Sequence, residues 1–598
     1  MTNRLFILPG GKIWGRYCLA LSVGILLMAL CFTSLANASA DDNYADYVFT
    51  HGKVYTMNPA APWQQAVAVK GNKIIYVGDD MHIAKYMGKT TREIELKGAM
   101  LLPGFIESHI HPTAAVVTAG ADLQYDSLEE LLKSIKAWAD ANPDEKIVSG
   151  FGWRYNLFDT NGPSKQDLDK IIPDRPVFLF AIDGHSAWVN SKALEMANIT
   201  AETPDPEYPF SYFKRDEKTG ELTGWLVEVP AEVIVKNRLD ETTPAAVEKV
   251  LKKQLALFSA AGITAVFDAG INVVPTEVGL DIYQKIEKES KLPLRVVASY
   301  YWNNPQMTDP VEKVLALKAK YYSELVQVKA LKINVDGGDL QHTAVMLQPY
   351  ADRPGFYGDF LLNPSLINDA VMKAQASGID THSHAYGDGA VKAHIDAVEL
   401  ARKAYPNSKS RHTIGHGIYM NDAEIERLVK QDMIAQFSAQ WAVPDPSVEV
   451  QVGIIGEEIA YKEYMRIASI VKAGGRIAFG TDWPAAGYSS VYKPLEAIQV
   501  ATTRDILTQY GQRRFLSQMP PTQESVSLEK ALKAYTMGSA YVLGLEDKIG
   551  SIEVGKLADL VLLEKNLFDV PKDQLSATKV LFTMSNGKIV FASPELIR

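Results

Sequence analysis

The chain has 598 residues, 47% hydrophobic and 22% charged, with 61 Lys and Arg against 71 Asp and Glu. That composition excludes a wholly disordered or collagen-like chain, and the length leaves room for a large core or several domains. A net charge of −10 argues against a general nucleic-acid binder, which needs a basic face.

Residues 1–40 read as an export signal. Arg4, Lys12 and Arg16 form a positive start without an acid, and an apolar stretch runs from Tyr17 to Leu35. Ala36-Asn37-Ala38 or Ala38-Ser39-Ala40 then offers a small-residue cleavage site. An uncleaved anchor is the alternative, because the stretch nears the roughly 20 residues that span a bilayer. The expected location is periplasmic or secreted, with no stable membrane insertion after cleavage. Both cysteines, Cys18 and Cys31, leave with the signal, and the remainder carries 58 bases against 71 acids. Such a chain has no disulfide and no thiolate ligand, so a metal must be held by His, carboxylate or some less usual group.

From 41 to 100 the pattern is one of short strands, among them Tyr47-Val48-Phe49, Ala66-Val67-Ala68-Val69 and Ile74-Ile75-Tyr76-Val77. Residues 546–598 return to it in Ala558-Asp559-Leu560-Val561-Leu562-Leu563 and Gly587-Lys588-Ile589-Val590-Phe591. The two ends together suggest a small β-sandwich. Between them, 101–545 alternates apolar strands with helical patterns. Ser127 and Glu130 make a capping box ahead of an apolar face of Leu128, Leu131, Leu132, Ile135 and Trp138. Eight strands are expected at 100–108, 263–267, 294–300, 328–333, 378–384, 411–416, 433–437 and 476–482, with 177–181 inside an insertion at about 120–250. Eight alternating units favour an α/β fold of the (β/α)8, TIM-like kind. A doubly wound sheet is the alternative, and no Gly-rich phosphate loop supports it.

Polar residues gather at the ends of these strands. His109 and His111 are two apart and share one face at the end of the first strand. His384, His416 and Asp482 end the fifth, sixth and eighth, at intervals close to one or two βα units. Barrel enzymes carry their chemistry at this end. Lys332 ends the fourth strand, where a protonated amine repels a cation. It could serve a metal only as an anionic carbamate; pairing with Asp336 is its ordinary reading.

Taken in order, these residues resemble the amidohydrolase superfamily, in particular its YtcJ-like branch, amidohydrolase family 3. The carriers are Leu101-Leu102-Pro103-Gly104-Phe105-Ile106-Glu107-Ser108-His109-Ile110-His111, then Gly150-Phe151-Gly152-Trp153, Asp183-Gly184-His185 and His384-Ala385-Tyr386-Gly387-Asp388. Ala534-Tyr535-Thr536 and Gly550-Ser551-Ile552-Glu553-Val554-Gly555-Lys556-Leu557-Ala558-Asp559 continue the set. The resemblance implies a hydrolase barrel beside a sandwich of both chain ends. It implies His109 and His111 as ligands of one divalent metal, His384 and His416 as ligands of a second, and carboxylated Lys332 as the bridge. A single-metal site with unmodified Lys332 remains compatible. Asp482 would touch metal and handle the catalytic proton. Zinc is the default ion, since imidazole and carboxylate suit it. Trp153, His185 and Trp441 are the candidates for substrate contact. The chain departs from the branch at Gly415, where Glu is usual, at His342, where Arg is usual, and at His382, where an aliphatic residue is usual; His382 is expected to pack beneath the metals.

The expected activity is hydrolysis of a small-molecule amide or N-formyl C–N bond. Ester or lactone hydrolysis and deamination are the neighbouring readings on the same site. A non-catalytic binding or regulatory protein is the reading from another class, and the complete ligand set speaks against it. A homo-oligomer is compatible with the sequence.

Overall fold

The computed structural model describes residues 44–596, apart from 160, 209, 241, 487, 488, 490 and 508–513. The expected export signal lies outside the described residues, and among these no helix is long and apolar enough to cross a membrane.

Eight parallel strands follow one another in sequence order round a nearly closed barrel. They are Phe105–Ile110, Ile263–Asp268, Arg295–Trp302, Val326–Asn334, Asp380–Ala385, His412–His416, Ile434–Phe437 and Arg476–Phe479. Seven match expected segments to within three residues at either end; the first, expected at 100–108, begins five residues later. The side chains of Phe105–Ile110, Ile263–Asp268 and Asp380–Ala385 are buried on both faces, as a sheet covered by helices outside and filled by side chains inside requires. The last strand reaches the first through bonds beyond the regular ladder. Asp482 N–H donates to the His109 carbonyl (2.8 Å), His111 N–H to the Trp483 carbonyl (2.9 Å), and Ser108 Oγ to the Phe479 carbonyl (2.7 Å). Closeness here demands glycine: a Cβ on Gly480 would stand 2.4 Å from His109 N.

The first expected strand is two strands. Met100–Pro103 belongs to a sheet of the chain ends, between Lys53–Tyr55 and Leu560–Leu563, and only Phe105–Ile110 enters the barrel. They divide at Gly104, where a Cβ would meet Thr264 Cγ2 at 2.2 Å. The apolar run is unbroken because both halves are buried, which hides the boundary from hydropathy.

That mixed sheet also holds Trp63–Gln64, Val580–Ser585 and Lys588–Ala592, so N-terminal and C-terminal strands share it. A four-stranded sheet of Tyr47–Thr50, Ala66–Lys70, Lys73–Gly78 and Arg92–Glu95 shares a core with it, in which Phe49 and Phe582 stack at 5.4 Å. Arg295, at the start of the third barrel strand, joins the barrel to this body through a buried pair with Asp559 (Nε to Oδ2, 3.0 Å).

The insertion holds more order than the one expected strand. Ala121–Asp122, Val148–Trp153, Val177–Ala181, Ser186–Val189, Tyr212–Arg215 and Leu222–Val227 form a six-stranded sheet. The helix Leu128–Ala141 packs against it, its first turn capped by Ser127, which accepts from Glu130 N–H at 3.2 Å. This layer carries Tyr155, Asp183 and His185 over the C-terminal end of the barrel.

Candidate metal centre

The parallel register brings the strand-end residues to one level: Lys332 pairs with His382, Asn334 with His384, and Ala385 with His416. Asp482 follows the eighth strand with φ +59°, a left-handed backbone uncommon for aspartate, of the kind that concentrates at functional sites. Glu107 holds it there by accepting from Thr481 N–H (2.6 Å) and Thr481 Oγ1 (3.0 Å).

The hydrogen-bond network fixes the histidine tautomers. Gln436 Oε1 accepts from the His416 backbone N–H (3.3 Å), which identifies it as the oxygen. His109 Nδ1, 2.9 Å from that oxygen, is therefore the protonated nitrogen and donates to it. His111 Nδ1 likewise donates to the Gly270 carbonyl (2.9 Å). Both Nε2 atoms are left with lone pairs, and they lie 3.3 Å (His109) and 3.2 Å (His111) from Asp482 Oδ1. Asp482 Oδ1 is buried and has no hydrogen-bond partner among the described residues.

Two lone pairs converging on an unsatisfied carboxylate oxygen suit a cation at their centre. Donor atoms bonded at 2.0–2.1 Å to one tetrahedral cation stand about 3.3–3.4 Å apart, and the observed separations match. His109, His111 and Asp482 thus form a candidate metal site. The partners on Nδ1 orient the rings as metal-bound histidines require.

His384 and His416 complete a ring of imidazoles, with centroids 4.5 Å apart. Neither nitrogen of His416 has a hydrogen-bond partner among the described residues, and Trp441 stacks on its face at 5.6 Å. Burial is the first cause holding His109, His384 and His416 well below the usual imidazole range, hence neutral. Lys332 Nζ lies 2.9 Å from His109 Nε2, and burial pushes its amine down to about 7 against the pull of Asp482 and Asp268. Asp336, its ordinary partner by sequence, instead accepts from Val345, Tyr386 and Gly387 N–H, each at 3.0 Å.

His382 is buried and packs below this ring, stacked on Phe267 at 4.9 Å with Nε2 3.0 Å from His109 Nδ1. Gly415 makes room for it, since a Cβ there would come 2.9 Å from His382 Nε2 and 2.3 Å from the Ser383 carbonyl. These two departures from the branch pattern are one packing solution. The third, His342, faces Asp352 instead (Nε2 to Oδ2, 2.8 Å).

A cavity of about 60 Å³ opens beside the cluster, lined among others by His185, His384, Trp441 and Asp482. His185 Nδ1 lies 2.8 Å from Glu228 Oε2. Burial acts against charge on His185, but Glu228, Asp183 and Glu232 outweigh it and raise the imidazole to about 10. Trp153 is a correction: it lies in the core of the insertion, fully buried, its indole N–H donating to the Leu179 carbonyl at 2.9 Å. Its apolar neighbours, not a substrate, explain an aromatic residue there. Reading the sequence missed Gln436; the available signal was a lone amide inside the apolar strand Ile434–Phe437.

The model of the amidohydrolase family matches residues 92–591. The chain belongs to the amidohydrolase family. Among its relatives, Protein LONG AFTER FAR-RED 3 of Arabidopsis thaliana is 27% identical over 576 residues, 92% of each chain. The N-substituted formamide deformylase of Arthrobacter pascens is 24% identical, over 91% of this chain and 97% of the relative. A solved metal-dependent hydrolase of Pyrococcus furiosus superposes with a TM-score of 0.64 at 26% identity, over 87% of this chain and 99% of that one.

Within this amidohydrolase, Gln436 carries a clear expectation. Gln436→Leu removes the acceptor from His109 Nδ1 and is expected to weaken metal binding about 10- to 100-fold in chelator competition. Gln436→Glu keeps an acceptor and should retain most of the affinity; equal loss in both variants would point to damaged packing instead.

Proposed function

We propose that this chain is an exported hydrolase of a small-molecule, non-peptide C–N bond, an amide or N-formyl linkage. The carrying observation is the convergence of His109 Nε2, His111 Nε2 and the unsatisfied Asp482 Oδ1 at the C-terminal end of the barrel. A divalent metal held there, zinc by ligand preference, would lower the pKa of a water towards about 7 and polarise a carbonyl oxygen. Asp482 takes the proton of the attacking water and delivers it to the departing nitrogen, acting as base and then acid. His185, backed by Glu228, faces the cavity as a hydrogen-bond donor for a substrate oxygen, and Trp441 walls the other side.

His384, His416 and a carboxylated Lys332 would hold a second ion. The support is the pair of unsatisfied nitrogens on buried His416, a state that a buried polar side chain rarely keeps. The C–N choice draws support from the deformylase relative.

The test is metal analysis of the purified protein with a screen of N-formyl, N-acyl, cyclic amide and ester compounds. Hydrolysis should disappear on chelation and return with zinc. Full hydrolysis by metal-free protein would sink the reading.

A further inference from the structure

Among the described residues that line the cavity beside the metal ligands, the ionic side chains are Asp183, Asp339 and Asp482 against Arg154 and His185. Each cation already has a carboxylate of its own. Arg154 Nη1 donates to Asp126 Oδ1 (2.9 Å) and to the Tyr125 carbonyl (3.2 Å), and His185 Nδ1 faces Glu228 Oε2 at 2.8 Å. The acids, in contrast, are held mainly by neutral donors. Asp183 accepts from Tyr155 OH (3.0 Å), the His185 backbone N–H (3.0 Å) and Gln341 Nε2 (2.7 Å). Asp339 accepts from Leu340 N–H (2.8 Å), Tyr419 OH (2.7 Å) and Gln451 Nε2 (3.2 Å). Burial raises both carboxyls, and these bonds favour the anion against it. Asp482 Oδ1 has no hydrogen-bond partner among the described residues, on a side chain only 8% exposed.

With Asp126 and Glu228 included, five carboxylates face two cations, an excess of three negative charges. A neutral His185 would only add to it. One divalent ion beside an ammonium on Lys332 contributes three positive charges, and so do two ions beside a carbamate; either brings the site to neutrality and no further. We infer that this cavity selects its substrate by charge, taking uncharged and cationic compounds and turning away those with a carboxylate or phosphate beside the scissile bond. A desolvated anion needs a partner of opposite charge, and each cation of the described wall is already matched. Across a cavity of about 60 Å³ such an anion would also meet Asp183, Asp339 and Asp482, and like charges at close range exclude the wrong partner. This rests on the hydrolase reading above and narrows it, because metal-assisted hydrolysis by itself sets no net charge on the substrate.

Three probes differ in charge and little in size: N-formylglycine, an anion; N-formylglycinamide, uncharged; and N-formylethylenediamine, a cation at neutral pH. Water adds to the formyl carbon, the C–N bond breaks, and each releases formate, with glycine, glycinamide or ethylenediamine as the other product. Binding is followed by NMR titration with and without zinc, and formate release with zinc. N-formylglycine is expected to bind at least about 10-fold more weakly than N-formylethylenediamine, with N-formylglycinamide between them, and to release formate most slowly. Asp339→Asn, which takes one charge from the wall, should narrow that ratio about threefold. A ratio between compounds is unmoved by a uniform loss of activity or of folded protein. Where no formate is released from any of the three, the binding order decides. Equal binding of the three without zinc, or equal rates with it, overturns the proposal and leaves the hydrolase reading standing. Formate release that persists after metal removal overturns the hydrolase reading instead.

Discussion

The Asp482→Asn variant is expected to lose turnover by about 10²- to 10⁴-fold, the range that a positioned acid–base group contributes. Asparagine preserves the shape and one oxygen, so the left-handed turn and its anchorage through Thr481 to Glu107 can persist. The imidazoles of His109 and His111 keep their Nδ1 partners, and much of the bound metal should remain. What disappears is an oxygen able to take and return a proton. The measurement pairs kcat on a substrate found by the screen with metal content per chain. Full turnover in a metal-replete variant removes Asp482 from the proton path. Complete metal loss would instead make it chiefly a ligand.

The parts of this site legible in the sequence are those fixed by strand geometry. His109 and His111 are separated by the strand period, and His384, His416 and Asp482 recur at intervals set by βα units, so pattern alone places them at one end of the barrel. The broad fold was readable for the same reason, since hydrophobic alternation is local. The boundary at Gly104 was not, because it depends on how closely Thr264 approaches, a contact 160 residues distant in sequence. Most of the sheet in the insertion was missed as well: its strands are short, and Val148–Trp153 contains two glycines that weaken any strand signal. Gln436 orients His109 through an amide whose partners lie far along the chain. No spacing rule records a tautomer or a committed amide hydrogen. His382 and Gly415 read as two unrelated oddities until the fold brings them so close that a Cβ on Gly415 would stand 2.9 Å from His382 Nε2.

Lys332→Ala should separate the one-ion and two-ion centres. Lys332 sits on the fourth barrel strand with Nζ 2.9 Å from His109 Nε2, level with the fifth-strand histidines through its register with His382. As an ammonium it repels any cation held by His109 and His111. As a carbamate, formed when the neutral amine adds carbon dioxide and releases a proton, it would carry one negative charge shared by two oxygens able to ligate metal. In the two-ion arrangement both ions depend on it, so Lys332→Ala is expected to take the count from two per chain to none. Elemental analysis of dialysed protein gives the count. A carbamate signal in the ¹³C NMR spectrum of protein prepared in labelled bicarbonate, absent from the variant, identifies the modification itself. Retention of one ion by Lys332→Ala, with no carbamate signal in the parent protein, would leave His109, His111 and Asp482 as a self-sufficient single site. His384 and His416 would then belong to the cavity wall, and the unpaired nitrogens of His416 would need a substrate or water to satisfy them.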